Sequence, residues 1–158
     1  MTTSTIDKEA LDGLTESDRL RQIVSEYCRN VDDYKYAELA DLFHEDAVLD
    51  LGGLKTTGRD AIFAFFSSTR VLNIYGLHST VNLIVNRTSV AASVSADFFW
   101  TNLKGPVPQI ESVGRYFFEL TKKSDQWRIS SLLSVFRNET STMTGGAADL
   151  WASKSEAA

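Results

Sequence analysis

The sequence predicts an α+β fold in which N-terminal helices close a strongly curved antiparallel sheet into a cone. Three observations predict it. Apolar residues recur at helical spacing up to residue 66. Four long segments rich in β-branched and aromatic residues follow from residue 77. Turn-forming residues separate those segments. The 158 residues fit one domain, and an apolar fraction of 43% is enough for a real core.

Thr15-Glu16-Ser17-Asp18 opens the first helix, with Thr15 or Ser17 as N-cap and acidic residues at the positive helix end. Leu20, Ile23, Val24, Tyr27, Cys28 and Val31 form its apolar face. Asp32 falls just beyond the edge of that stripe. Leu39, Ala40, Leu42 and Phe43 mark a second, short helix that Glu45-Asp46 ends. Ala47 to Leu51 reads as a short strand closed by Gly52-Gly53. Gly58-Arg59-Asp60 leads into a third helix, where Ile62, Phe65 and Phe66 share one packing face.

Residues 77–87, 90–103, 109–122 and 126–138 are strands. Asn86-Arg87-Thr88-Ser89 and Lys122-Lys123-Ser124-Asp125 are turns, and Gly105-Pro106-Val107-Pro108 breaks the chain between the second and third strands. Residues 1–14 read as an N-terminal extension, 15–138 as the domain and 139–158 as a flexible tail. Leu150-Trp151 is the tail's apolar exception, either docked on the body or a neighbouring subunit, or a chance tryptophan. A curved sheet closed by helices leaves an apolar interior for a small ligand.

The net charge of -5 argues against a nucleic-acid partner, and no basic amphipathic stretch suggests a membrane surface. The longest apolar runs are too short to span a bilayer. The start of the chain lacks the apolar stretch of a secretory signal. One cysteine, Cys28, rules out an internal disulfide and fits a reducing cytoplasm; its apolar helical setting reads as packing. Two histidines and one cysteine give no zinc-type spacing, and no Gly-rich phosphate loop is present, so no metal or cofactor is expected.

His78 stands at the start of a mostly apolar strand. His44 lies in the polar sequence Phe43-His44-Glu45-Asp46. An imidazole is the usual proton carrier at neutral pH. If His78 points into the cone, strand alternation places Thr80, Asn82 and Ile84 on its face. A histidine base works best with a carboxylate on its other ring nitrogen. Asp32 is the best candidate, because a carboxylate at the negative end of a helix gains from a hydrogen-bonding partner. Asp50 and Asp97 are alternative carboxylates. Tyr27, Asn82, Tyr75, Trp100 and Tyr116 are candidate substrate contacts, and each also has an ordinary packing explanation. Arg115, with Glu111 and Glu119 on its strand face, reads as a surface ion-pair residue.

The order of several segments resembles a known group. They are Tyr27-Cys28-Arg29-Asn30-Val31-Asp32, Leu39 to Ala47, Gly58-Arg59-Asp60-Ala61-Ile62, and His78 with Asn82. Together, over residues 15–138, they resemble the nuclear transport factor 2-like superfamily, in the branch that holds SnoaL-like proteins, scytalone dehydratase and hexachlorocyclohexane dehydrochlorinase. The resemblance implies a cone-shaped barrel and an Asp–His dyad, matched here by Asp32 and His78, that performs cofactor-free elimination. Two departures leave the substrate open. A second pocket histidine of scytalone dehydratase is missing from Ser95 to Trp100, and a helix lysine of the dehydrochlorinase is replaced by Tyr27.

The expected function is a dehydratase-like lyase acting on a small apolar, polyketide-like or steroid-like molecule. The same base would serve an isomerase or cyclase, and the same cone without competent chemistry would be a ligand-binding or assembly module. A homo-oligomer is implied by the resemblance alone.

Overall fold

The computed structural model describes residues 8–72 and 75–137. The tail from residue 139, with Trp151, and residues 1–7 lie outside them. Helix α1 (Lys8–Asp32) begins well before the expected start at Thr15. Thr15 and Ser17 are therefore interior helix residues rather than caps. The Ser17 hydroxyl donates back to the Gly13 carbonyl at 3.1 Å, one turn earlier, which satisfies it without a helix end. Glu16 ties this early stretch to the sheet by accepting from the Trp127 indole N–H and from Lys122.

The far end of α1 is fixed by its backbone. Lys35 N–H donates to the Asn30 carbonyl at 2.9 Å and Tyr34 N–H to the Val31 carbonyl at 3.3 Å. With Tyr34 left-handed (φ 57), this is a Schellman cap built on a tyrosine instead of the usual glycine. It stops the helix just past Asp32.

After α2 (Tyr36–Asp41), the chain enters β1 (Phe43–Leu51) four residues earlier than the sequence suggests. Phe43-His44-Glu45-Asp46 is extended, not the end of a helix. The cause is pairing: Ile129 N–H donates to the Leu42 carbonyl at 2.8 Å, and Phe43 lies opposite Ile129. An irregularity between Phe43 and Val48 breaks the alternation there and hid the strand from its pattern. A short β2 (Leu54–Thr57), not foreseen, folds back on β1. Then come α3 (Arg59–Thr69), β3 (Gly76–Arg87), β4 (Ala91–Asn102), β5 (Gln109–Lys123) and β6 (Gln126–Phe136).

The six strands form one curved sheet in the order β2-β1-β6-β5-β4-β3. The expectation of an all-antiparallel sheet needs one correction, because β1 and β6 run parallel. A parallel pair needs a long crossover, and everything from β2 to β5 provides it. The expected cone is also not closed as a sheet, since β2 and β3 remain its edges. Helix α1 packs mainly on β3, with Asp32 meeting His78 near the start of that strand and Ser17 meeting Arg87 at its end. The core lies between α1 and the inner sheet face, where Leu20, Ile23, Val24, Phe43, Phe98, Phe118 and Leu132 are fully buried.

Candidate active site

Asp32 and His78 meet. The Asp32 carboxylate accepts from the His78 backbone N–H at 2.8 Å and lies 2.5 Å from its ring Nδ1. Both side chains are largely buried, at 8% and 14% exposure. Two features bring them together. The cap after Asp32 fixes the end of α1, and Gly76 lets β3 run tight beneath Trp100, where any Cβ would sit 2.5 Å from the indole. The carboxylate cannot donate, so Nδ1 carries the proton in the neutral ring and Nε2 keeps its lone pair. Such a pair accepts a proton at Nε2 and holds the resulting imidazolium against a carboxylate.

A cleft of about 330 Å³ opens beside the pair. Ser25, Cys28 and Arg29 of α1 form one wall, and Leu77 and Thr80 of β3 the other. Burial, reinforced by the Asp32 charge, pushes the Cys28 thiol up to about 12, so it stays protonated and unreactive at neutral pH.

On the inner side the dyad is backed by aromatic rings. Tyr27 is 2% exposed and makes edge contacts with Phe43, Phe66, Tyr116 and Phe118. Tyr116 stacks on Phe98 with centroids 4.2 Å apart. Burial holds both phenols far above their usual range, and the nearby Asp32 carboxylate pushes them the same way. Both remain neutral hydrogen-bond donors. The interior expected to be a ligand cavity is thus occupied by packed rings, and the open volume at the dyad lies between α1 and β3.

Of the other expected contacts, Trp100 sits directly opposite His78 across β3 and β4. Tyr75 is 56% exposed and does not line the cleft. The inward placement of Asn82 and Ile84 with His78 needs correction. The β3–β4 register slips between Val81 and Ile84, and Asn82 takes a left-handed φ of 53. A slip of one residue exchanges the faces of a strand. Thr80 keeps its inward position, whereas Ile84 is exposed and Asn82 donates to Asp97 at 2.9 Å on the outer face. Asp97 also accepts from Arg115 at 2.6 Å, so it is no alternative partner for His78. Asp50 caps the turn at Gly53. His44 is buried and faces the Thr121 hydroxyl and carbonyl through Nε2 at 2.8 and 3.1 Å, far from the dyad in the sheet. Sequence reasoning missed Ser25 and Arg29 as cleft residues; their signal was one turn of helix separating them from Cys28 and Asp32.

Residues 12–132 match the SnoaL-like domain. No curated protein sequence matches the chain. Among solved structures, it is similar to a nuclear transport factor 2-like protein with a cystatin-like fold from Novosphingobium aromaticivorans, at 17% identity and a TM-score of 0.75, over 90% of this chain and 97% of that one. A protein described as a scytalone dehydratase candidate from the same organism gives 22% identity and a TM-score of 0.69, over 80% and 87% of the two chains. The beta subunit of a candidate aromatic-ring-hydroxylating dioxygenase, again from that organism, gives 12% identity and a TM-score of 0.71, over 80% and 92%. At these identities the likenesses establish the fold, and the domain match establishes the family: the chain belongs to the SnoaL-like domain family and has the nuclear transport factor 2-like fold.

Proposed function

We propose that the protein is a general acid–base enzyme, a dehydratase-like lyase in which His78 and Asp32 do the chemistry without a cofactor. The observation that carries this is the two-point contact of Asp32 with His78. His78 Nε2 takes a proton from a carbon next to a carbonyl, and the electron pair moves into an enolate. Asp32 stabilises the imidazolium. The imidazolium then returns the proton to a departing hydroxyl, which leaves as water, or to another carbon, which is an isomerisation; in a cyclisation the enolate carbon instead attacks a second carbonyl of the same substrate, and the imidazolium protonates the alkoxide that forms. Tyr27 or Tyr116 supplies a neutral phenol for the enolate oxygen. The substrate is small and apolar, polyketide-like or steroid-like, and the protein acts in the cytoplasm. A homo-oligomer is proposed through the outer sheet face, where Phe117 and Leu133 lie opposite each other at about 40% exposure.

The test is solvent deuterium incorporation into the activated carbon of a cyclic ketone such as 2-tetralone, followed by NMR. His78→Ala and Asp32→Asn should each nearly abolish it, and near-normal exchange in either would rule out the dyad. A second reading, a non-catalytic binding or assembly module, is favoured by one observation: the inner rings leave little open interior. Absence of exchange by the wild-type protein across a panel of cyclic ketones would favour that module.

A further inference from the structure

Arg29 is the permanent cation lining the cleft beside the dyad. It is exposed, and no carboxylate among the described residues pairs with it. That sets it apart from the earlier arginines of α1. Arg19 pairs with Glu26 and Arg21 with Asp18, each at 2.9 Å. The two acids of the cleft are engaged elsewhere: Asp32 faces His78 at 2.5 Å and Asp33 faces Lys35 at 3.5 Å. The guanidinium donors of Arg29 are therefore unused by any described acid.

Arg29 and His78 share one opening of about 330 Å³. That lies at the lower end for small-molecule sites, so a single ligand reaches both. Arg29 precedes Asp32 by three residues, ~5 Å along α1, and residues at that spacing are neighbours on a helix surface. Asp32 in turn touches His78. One continuous helix thus sets the distance from the cation to the base. The facing wall supplies Thr80, two residues beyond His78, and the exposed side chain of Leu77. Around the cleft, Arg29 and Lys35 balance Asp32 and Asp33. Proton uptake by His78 then leaves the site positive, so an anion beside it gains as the imidazolium forms.

We infer that Arg29 anchors a carboxylate of the substrate. The substrate is then an otherwise apolar keto acid whose carboxylate lies within a few bonds of the carbon that His78 deprotonates. The inference rests on the acid–base reading above, which puts the reacting carbon at His78. A carboxylate fits because its two oxygens match the planar guanidinium fork. One cation balances one carboxylate, whereas a phosphate dianion would leave a charge unmet.

The probes are 4-oxo-4-phenylbutanoate and its methyl ester, which share the ring and the ketone and differ in one charge. Each offers His78 an exchangeable carbon next to the ketone, with the carboxyl group two bonds further on for Arg29. Binding to the full-length protein is followed by titration calorimetry. The wild-type protein should bind the acid about tenfold more tightly than the ester, the low end for hydrogen bonds to a charged group because the cleft is open to water. Arg29→Gln should bring that ratio close to one by weakening the acid, at a melting temperature near that of wild type. Arg21→Gln removes the same charge about two turns earlier on α1 and should leave the ratio alone. A wild-type ratio near one, a ratio that survives Arg29→Gln, or an equal loss in Arg21→Gln overturns the inference. So does a wild-type ratio near one with slower deuterium exchange of both probes in Arg29→Gln, which would put Arg29 on the reacting oxygen. His78→Ala separates the two readings. Loss of exchange with the acid preference intact upholds both, whereas retained exchange overturns only the dyad.

Discussion

One carboxylate holds His78 twice: Asp32 accepts from its backbone N–H at 2.8 Å and faces its ring Nδ1 at 2.5 Å. The first contact fixes where β3 stands against α1, and the second fixes which ring nitrogen is free. Position and tautomer therefore depend on the same group.

The two members of the pair should separate in mutagenesis. His78→Ala removes the base but keeps the bond from residue 78 N–H to Asp32, so it should fold with a stability loss under about 1 kcal/mol while proton exchange falls by about 10²–10⁴-fold. Asp32→Ala leaves a buried N–H and an imidazole nitrogen without partners, and should cost about 1–3 kcal/mol besides the activity. Chemical denaturation beside the deuterium assay checks both. Equal stability losses would contradict this division.

Tyr27 gives a second separation. Its ring touches four others, so Tyr27→Ala should cost about 3–5 kcal/mol. Tyr27→Phe keeps those contacts and should stay within about 1 kcal/mol of wild type. If the phenol supports the enolate oxygen, kcat drops in Tyr27→Phe at unchanged stability. An unchanged kcat assigns that role to Tyr116.

Asn82 should matter to folding and not to chemistry. Its left-handed backbone suits asparagine or glycine, so Asn82→Val should cost about 1–3 kcal/mol. Asn82→Gly should be nearly neutral, losing one exposed hydrogen bond to Asp97. The folded fraction of each should exchange protons at the wild-type rate, because residue 82 faces away from His78. A specific loss of activity in Asn82→Gly would contradict the outer-face placement.

Acid should loosen the start of α1 before it unfolds the sheet. The Trp127 N–H, and after it Lys122, hold the Glu16 carboxyl below its usual value of 4.5. A depressed carboxyl stabilises the fold fully above pH 4.5 and loses that contribution as the pH falls through its lower folded value. The Trp127 indole N–H resonance should therefore shift in that acid range. In Glu16→Gln the shift should vanish. A transition that persists in the variant must come from another group.

The helical period and the spacing of the first strands made Asp32, His78 and the helix–sheet order legible in the sequence. Three features were not legible, each for a physical reason. Phe43 to Asp46 looks like a helix end because its pairing with β6 depends on residues more than eighty positions away. Asn82 lost its predicted face to a single extra residue in β3, which no periodicity reveals beforehand. The filled interior was equally hidden, since Tyr27, Phe98 and Tyr116 line a cavity or plug it according to their rotamers.

Helix α1 supplies Asp32 and also lies along β3, an edge strand of twelve residues. An uncovered edge of that length is a template for association with other chains. The carboxylate of the proposed dyad and the cover of that strand therefore lie on one element. On mild heating, turnover and colloidal stability should fail on the same time course, as α1 lifts from the sheet.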